Sequence, residues 1–169
     1  MHRRKFAKYS IGIGGSGLLI SRFDFEQNAE ESGRTMVIRE FETGSNLNEK
    51  YDDFPTELLE NPSPVDGPSI KTSESEVIIY GFVRAESCER IGVKDRSYEE
   101  MTEKLVILVG EVGTDWGLPS APCSPDATNE FYRLEIDMGS ELQEIDARQE
   151  YFGTEFNTEK DVDISFTDL

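Results

Sequence analysis

The chain has 169 residues, with Lys+Arg 17 against Asp+Glu 35, a formal net charge of −18 and 36% hydrophobic residues. One domain of ordinary size fits that length. A surface this acidic repels phosphates, which excludes nucleic-acid binding, and the single histidine, His2, leaves no imidazole for Ser-His-Asp or Cys-His catalysis or for most zinc and non-haem iron sites.

In chain order, residues 1–22 come first and differ from the rest. They carry Arg3, Arg4, Lys5, Lys8 and Arg22 and no acid, so the other 147 residues hold the remaining 12 basic and all 35 acidic side chains, a net of −23. A basic start leads into a weakly apolar stretch from Tyr9 to Ile20, too short for a comfortable membrane span and suited to the apolar region of an export signal. Arg3-Arg4, followed by Phe6 and Lys8, resembles the twin-arginine export motif, whose route carries folded proteins across a membrane. The glycines at 12, 14 and 17 satisfy a G-x-G-x-x-G spacing. A dinucleotide turn, however, needs a preceding strand, a following helix and an acid some twenty residues on, and "HRRKFAKYS" and "EQNAEESG" supply none of these. The glycines therefore read as part of the signal. No small-residue cleavage site follows Ile20; cleavage near Asn28-Ala29 and an uncleaved tether both remain open.

Residues 23–34 read as a polar spacer, and residues 35–169 as one acidic domain. "TMVIREFET" (35–43) predicts a strand of imperfect alternation, and "DDFPTELLENP" a helical turn stopped by Pro62. Residues 61–75, with Pro62, Pro64 and Pro68, predict a loop or linker. "EVIIYGFVRA" (76–85) and "KLVILVGEV" (104–112) are apolar, β-branched strands. In "EFYRLEIDMG" (130–139), Tyr132, Leu134, Ile136 and Met138 fall on one buried face with charge opposite. "DVDISFTDL" (161–169) predicts a last amphipathic strand. Four or five strands without a long helical period predict a mainly β fold, a small antiparallel sandwich or barrel-like domain. Such apolar segments argue against disorder, so the acidity reads as adaptation to concentrated salt, and five lysines against seven arginines in the acidic body suit that surface.

Cys88 and Cys123 are the only cysteines. In an exported chain they most simply pair, closing a loop of about 35 residues; two buried free thiols are the alternative, and a metal site would lack its histidines. The order of strand, Cys88, Tyr98, "KLVILV", Cys123 and "FYRLEI" resembles a type of small exported domain of halophilic archaea, over roughly residues 74–150. The resemblance implies a secreted, disulfide-stapled β-domain and supplies no catalytic residues.

No P-loop, H-E-x-x-H or EF-hand spacing occurs. No cofactor is expected; calcium at "DVD" (161–163) or "SPDATNE" (124–130) is a weaker reading than polar surface. Trp116 and Leu118, in a Gly/Pro-rich loop, are candidates for contact with a protein or envelope partner, although Trp116 can equally pack on the sheet edge. The expected function is a non-enzymatic interaction or envelope-structure domain, exported by the twin-arginine translocase to the cell surface or beyond, with a possible N-terminal membrane tether. The alternatives are a carboxylate-dependent envelope hydrolase and self-assembly by strand exchange through 161–169.

Overall fold

The computed structural model describes residues 19–21, 25–26, 36–85, 90–112 and 128–165. The strands are β1 (Leu19–Ser21), β2 (Phe25–Glu26), β3 (Met36–Gly44), β4 (Ser69–Ser73), β5 (Glu76–Ala85), β6 (Arg90–Glu99), β7 (Lys104–Val112), β8 (Thr128–Met138), β9 (Leu142–Tyr151) and β10 (Thr154–Ile164). Two short helices, α1 (Leu47–Lys50) and α2 (Thr56–Glu60), and a 3-10 turn (Pro64–Asp66) join β3 to β4.

The strands form two facing layers, as the composition of apolar and alternating segments predicts. The first sheet runs β1-β3-β8-β5-β4, with β2 also on β3; the second runs β10-β9-β7-β6. Their inner faces bury Ile38, Phe41, Val77, Ile79, Leu105, Ile107, Leu134 and Ile145 in one core. The predicted buried face of the central strand β8 is correct: Tyr132, Leu134, Ile136 and Met138 are all at most 2% exposed.

Several expectations need correction. The predicted loop 61–75 contains β4, which pairs with β5 from Ser69↔Tyr80 to Ser73↔Glu76; its prolines all precede Ser69, so they break nothing in the ladder. β6 and β9 were not predicted, because their charged outward positions mask the inward ones. The last strand begins at Thr154, seven residues earlier than expected, and β10 closes against β9 as a hairpin. The pairing is not wholly antiparallel: β7 and β9 run parallel, Leu105↔Ile145 to Val109↔Gln149. The chain crosses to the other sheet as β8 between them, so β9 returns in the direction of β7. The imperfect alternation of β3 has a cause as well. A bulge at Arg39 shifts the register from Ile38↔Ile136 to Glu40↔Glu135, so Ile38 and Phe41 both face the core. Leu19–Ser21, from the end of the predicted signal, and Phe25–Glu26, from the predicted spacer, both pair with β3.

One polar side chain ties the layers together. Gln149 of β9 is fully buried; its Oε1 accepts from the Phe82 N–H at 3.1 Å and the Tyr132 hydroxyl at 3.3 Å, and its Nε2 donates to the Pro64 carbonyl at 3.0 Å. β4 starts opposite Tyr80, so the Phe82 N–H lies beyond its ladder and takes this side chain instead. Next to it, Gly81 stands opposite Tyr132 in the strand register, and a Cβ there would come within 2.3 Å of the Tyr132 ring.

Two substitutions test this seam. Gly81→Ala is expected to destabilise the fold by about 1–3 kcal/mol, the range for overpacking a closed core. Gln149→Leu, which strands buried polar groups, is expected to cost about 1–3 kcal/mol for each group left unpaired. Urea unfolding of both variants beside the wild type checks these values, and an unchanged midpoint for Gly81→Ala would show that Tyr132 is free to move.

Candidate functional site

β5 is apolar on both faces because its outer side is roofed. Ile78 and Tyr80 pack beneath Leu47, Phe54 and Leu58 of the α1–α2 segment. Beside this apolar patch, the outward positions of β8, predicted to be solvent-facing charge, carry Arg133, Glu135 and Asp137. The strand register sets Glu42 and Tyr80 on either side of Arg133, Glu40 beside Glu135, and Glu76 beside Asp137.

Arg133 is the centre of this cluster, and only 7% of its side chain is exposed. Its Nη1 lies 2.8 Å from Glu135 and 3.5 Å from Glu40, and its guanidinium stacks 4.1 Å from the Tyr51 ring centroid. Burial works against the charge, but hydrogen bonds to Glu135 and Tyr80 outweigh it and raise the pKa further. Glu42 is fully buried and has both oxygens occupied: Lys50 donates to one, and the Tyr51 hydroxyl donates to the other at 2.7 Å. Burial pushes this carboxyl up, yet those two hydrogen bonds and the Lys50 charge prevail and hold it below the usual range. Tyr51 is raised by burial and by Glu42. Tyr80, which donates to Asp53 at 2.5 Å, is pushed up to about 12 by burial and that carboxylate.

Glu76 differs from Glu42. Burial and a hydrogen bond shared with Glu135 raise its pKa. The pair is the nearest approach to the acid of a glycosidase, which needs two carboxylates about 5–9 Å apart across an open groove. These two instead share a sheet face with Arg39 and Arg133. A depression of about 450 Å³ lies elsewhere, lined by Asp52, Asp53, Phe54, Glu57, Ser69 and Lys71. Among the described residues no group of three or more His, Cys, Asp or Glu side chains is arranged to hold a metal. Asp161 and Asp163 of the "DVD" stretch stand exposed on β10, and most of 124–130 lies outside the described residues.

The residues singled out from sequence, Arg3, Arg4, Phe6, Lys8, Cys88, Trp116, Leu118 and Cys123, lie outside the described residues, as do the glycines of 12–17. Their points of attachment, however, are defined. Ala85 pairs with Thr128, and Arg90 with Val112. Segments 86–89 and 113–127, which hold Cys88 and Trp116, Leu118 and Cys123, therefore both join strands at one end of the sandwich. The same end carries the β9–β10 turn, where Phe152 is 68% exposed. No family model, curated protein or solved structure matches this chain.

Removing the central cation is expected to leave Glu40, Glu42 and Glu135 facing one another. Arg133→Met should cost about 3–5 kcal/mol, the range for breaking a buried ion pair, and added salt should recover part of the loss; thermal melts at low and high KCl measure both. Glu76 behaves in the opposite sense. With its folded pKa above the unfolded value, its ionised form opposes folding at neutral pH. Glu76→Gln should therefore raise Tm at pH 7, and the gain should vanish below the carboxylate range, where the wild-type side chain carries its own proton.

Proposed function

We propose that this chain is an exported, halophile-adapted β-domain that works at the cell surface or in the secreted space by binding, without catalysis of its own. The observation that carries this reading is that the strand ends joined by residues 86–89 and 113–127 all lie at one end of a two-sheet scaffold. Loops presented this way are where β-sandwiches place their recognition residues. The clustered carboxylates of the outer face are engaged with Arg133, Lys50 and Tyr51, which disfavours the hydrolase reading.

The common end also supports a Cys88–Cys123 bridge, because both cysteines lie in segments attached there. Such a bridge would close a loop of about 35 residues, worth roughly 3–4 kcal/mol by the loop-entropy relation. The pairing of Leu19–Ser21 and Phe25–Glu26 with β3 favours an N-terminal segment that is retained as a tether. Cleavage near Asn28-Ala29 would strip both strands from that edge. Strand exchange through 161–169 is less favoured, since Asp161 and Ile164 already pair with Glu144 and Leu142.

Cell fractionation with mass spectrometry of the N-terminus tests address and processing together. The wild-type chain is expected outside the cytoplasm or on the membrane, with residue 1 or 2 as its first residue and with thiols that resist alkylation until reduced. Arg3→Lys/Arg4→Lys is expected to hold the chain in the cytoplasm. Wild-type protein in the cytosol with two alkylatable thiols would overturn the reading.

A further inference from the structure

The β9–β10 turn is unusual for its position. Tyr151 pairs with Thr154, and the two residues between, Phe152 and Gly153, have φ of 52° and 73°. Both positive values define the tight type I′ hairpin turn, whose first position suits Asn, Asp or Gly. A bulky aromatic there is an outlier, because its Cβ crowds the backbone in the left-handed region. The strained residue is also 68% exposed, one of three large hydrophobic side chains prominently exposed among the described residues. Folding therefore gains little from Phe152, while the turn geometry would favour another residue. Strain retained at an exposed site points to use by a partner.

The neighbours of Phe152 form an amphipathic tip. Its ring stands edge-on to Tyr151 at 4.8 Å, and the Arg84 guanidinium lies 4.7 Å from the ring centroid. The Arg84 Nε is buried and has no hydrogen-bond partner among the described residues. An aromatic ring beside a guanidinium is the pairing found where protein meets the headgroup and acyl layers of a bilayer.

The path of the chain indicates which surface lies opposite this tip. Leu19 pairs with Thr43, which pairs in turn with Tyr132 and then Gly81. β1 therefore runs with its Leu19 start toward the end that carries Phe152. β1 and β5 are three strand spacings apart, about 14 Å. The start of β1, to which the apolar stretch of the sequence is joined, thus lies on the side on which Phe152 is exposed. In molar salt the screening length falls to about 3 Å, so the acidic body does not prevent close approach to a lipid surface.

We propose that Phe152 and Arg84 form a membrane-docking tip, with Phe152 entering the leaflet interface and Arg84 facing lipid phosphates, on the same side as the N-terminal tether. The assignment rests on the tethered, exported reading above. It orients the domain with the Val112 and Thr128 strand ends toward the membrane and the β6–β7 turn away from it. Met101, at that far turn, is fully exposed and serves as the internal control.

Flotation of the purified full chain with phosphatidylcholine vesicles in molar KCl tests the proposal. Phe152→Asn places Asn-Gly in the turn, so its melting temperature is expected to equal or exceed the wild type's while its partitioning falls roughly tenfold, as loss of one buried aromatic side chain implies. Met101→Ser is expected to float like the wild type. A chain lacking residues 1–18 should float more weakly and lose further with Phe152→Asn. Equal flotation of wild type and Phe152→Asn overturns the docking tip while leaving the tether intact, as does an equal loss with Met101→Ser. Undiminished flotation of the shortened chain overturns the tether alone, and no flotation of the full chain overturns both. If Phe152→Asn changes only capture of a protein partner, the tip is a protein contact and the membrane assignment falls.

Discussion

A guanidinium buried in the middle of a sheet is the constraint around which the outer face of this protein is arranged. Arg133 projects from the central strand of the larger sheet, with Glu42 opposite it on β3 and Tyr80 opposite it on β5. In a chain carrying 35 acidic residues, like-charge repulsion across adjacent strands would push β3 and β8 apart. One planar cation with several donors can serve Glu135 and Glu40 together while its faces stack on tyrosine rings. The short helix α1 completes the arrangement by bringing Lys50 and Tyr51 onto Glu42, so that a fully buried carboxylate has partners at both oxygens. The α1–α2 segment is therefore held by ionic contacts on one side and by Leu47, Phe54 and Leu58 on the other.

The second sheet handles its charge differently. Lys104 pairs with Glu144 and Glu159, and Arg148 with Asp146 and Glu155, along its outer face. The Asp146 carboxyl is pushed up by burial but held below its ordinary range by hydrogen bonds from Arg148 and Asn157. The more exposed of these pairs, such as Arg148 with Glu155, contribute little individually in dilute solution. Their use here is to space like charges on a crowded surface. The firm connection between the two layers is instead the apolar core and the Gln149 bridge, which joins β9, β5, β8 and the 3-10 turn through three hydrogen bonds.

These features divide the molecule into a rigid body and one end. The middle of each outer face is occupied by ion pairs, whereas the end at Ala85, Val112, Thr128 and Phe152 carries the attachment points of 113–127 and the exposed aromatic turn.

The β character, the strands at 76–85, 104–112 and 130–139 and the buried row of β8 were legible in the sequence, because a period of two and β-branched runs are local signals. β6 and β9 were hidden, since charged residues on the outer face break the apolar runs by which strands are found. The bulge at Arg39 left its mark only as a faulty alternation. For the candidate site, the sequence showed Arg133 and Glu135 as charges on one face of a strand, and the solvated reading was reasonable. It was the arrival of Tyr51 and Lys50, from a segment some eighty residues away in sequence, that turned that face into an interior. By itself, then, the sequence determined composition, strand periodicity and the inward rows. Only the tertiary structure decided the parallel β7–β9 pair, the burial of Glu42 and Arg133, and the common end for distant segments, because each depends on which strands become neighbours after the chain crosses between sheets.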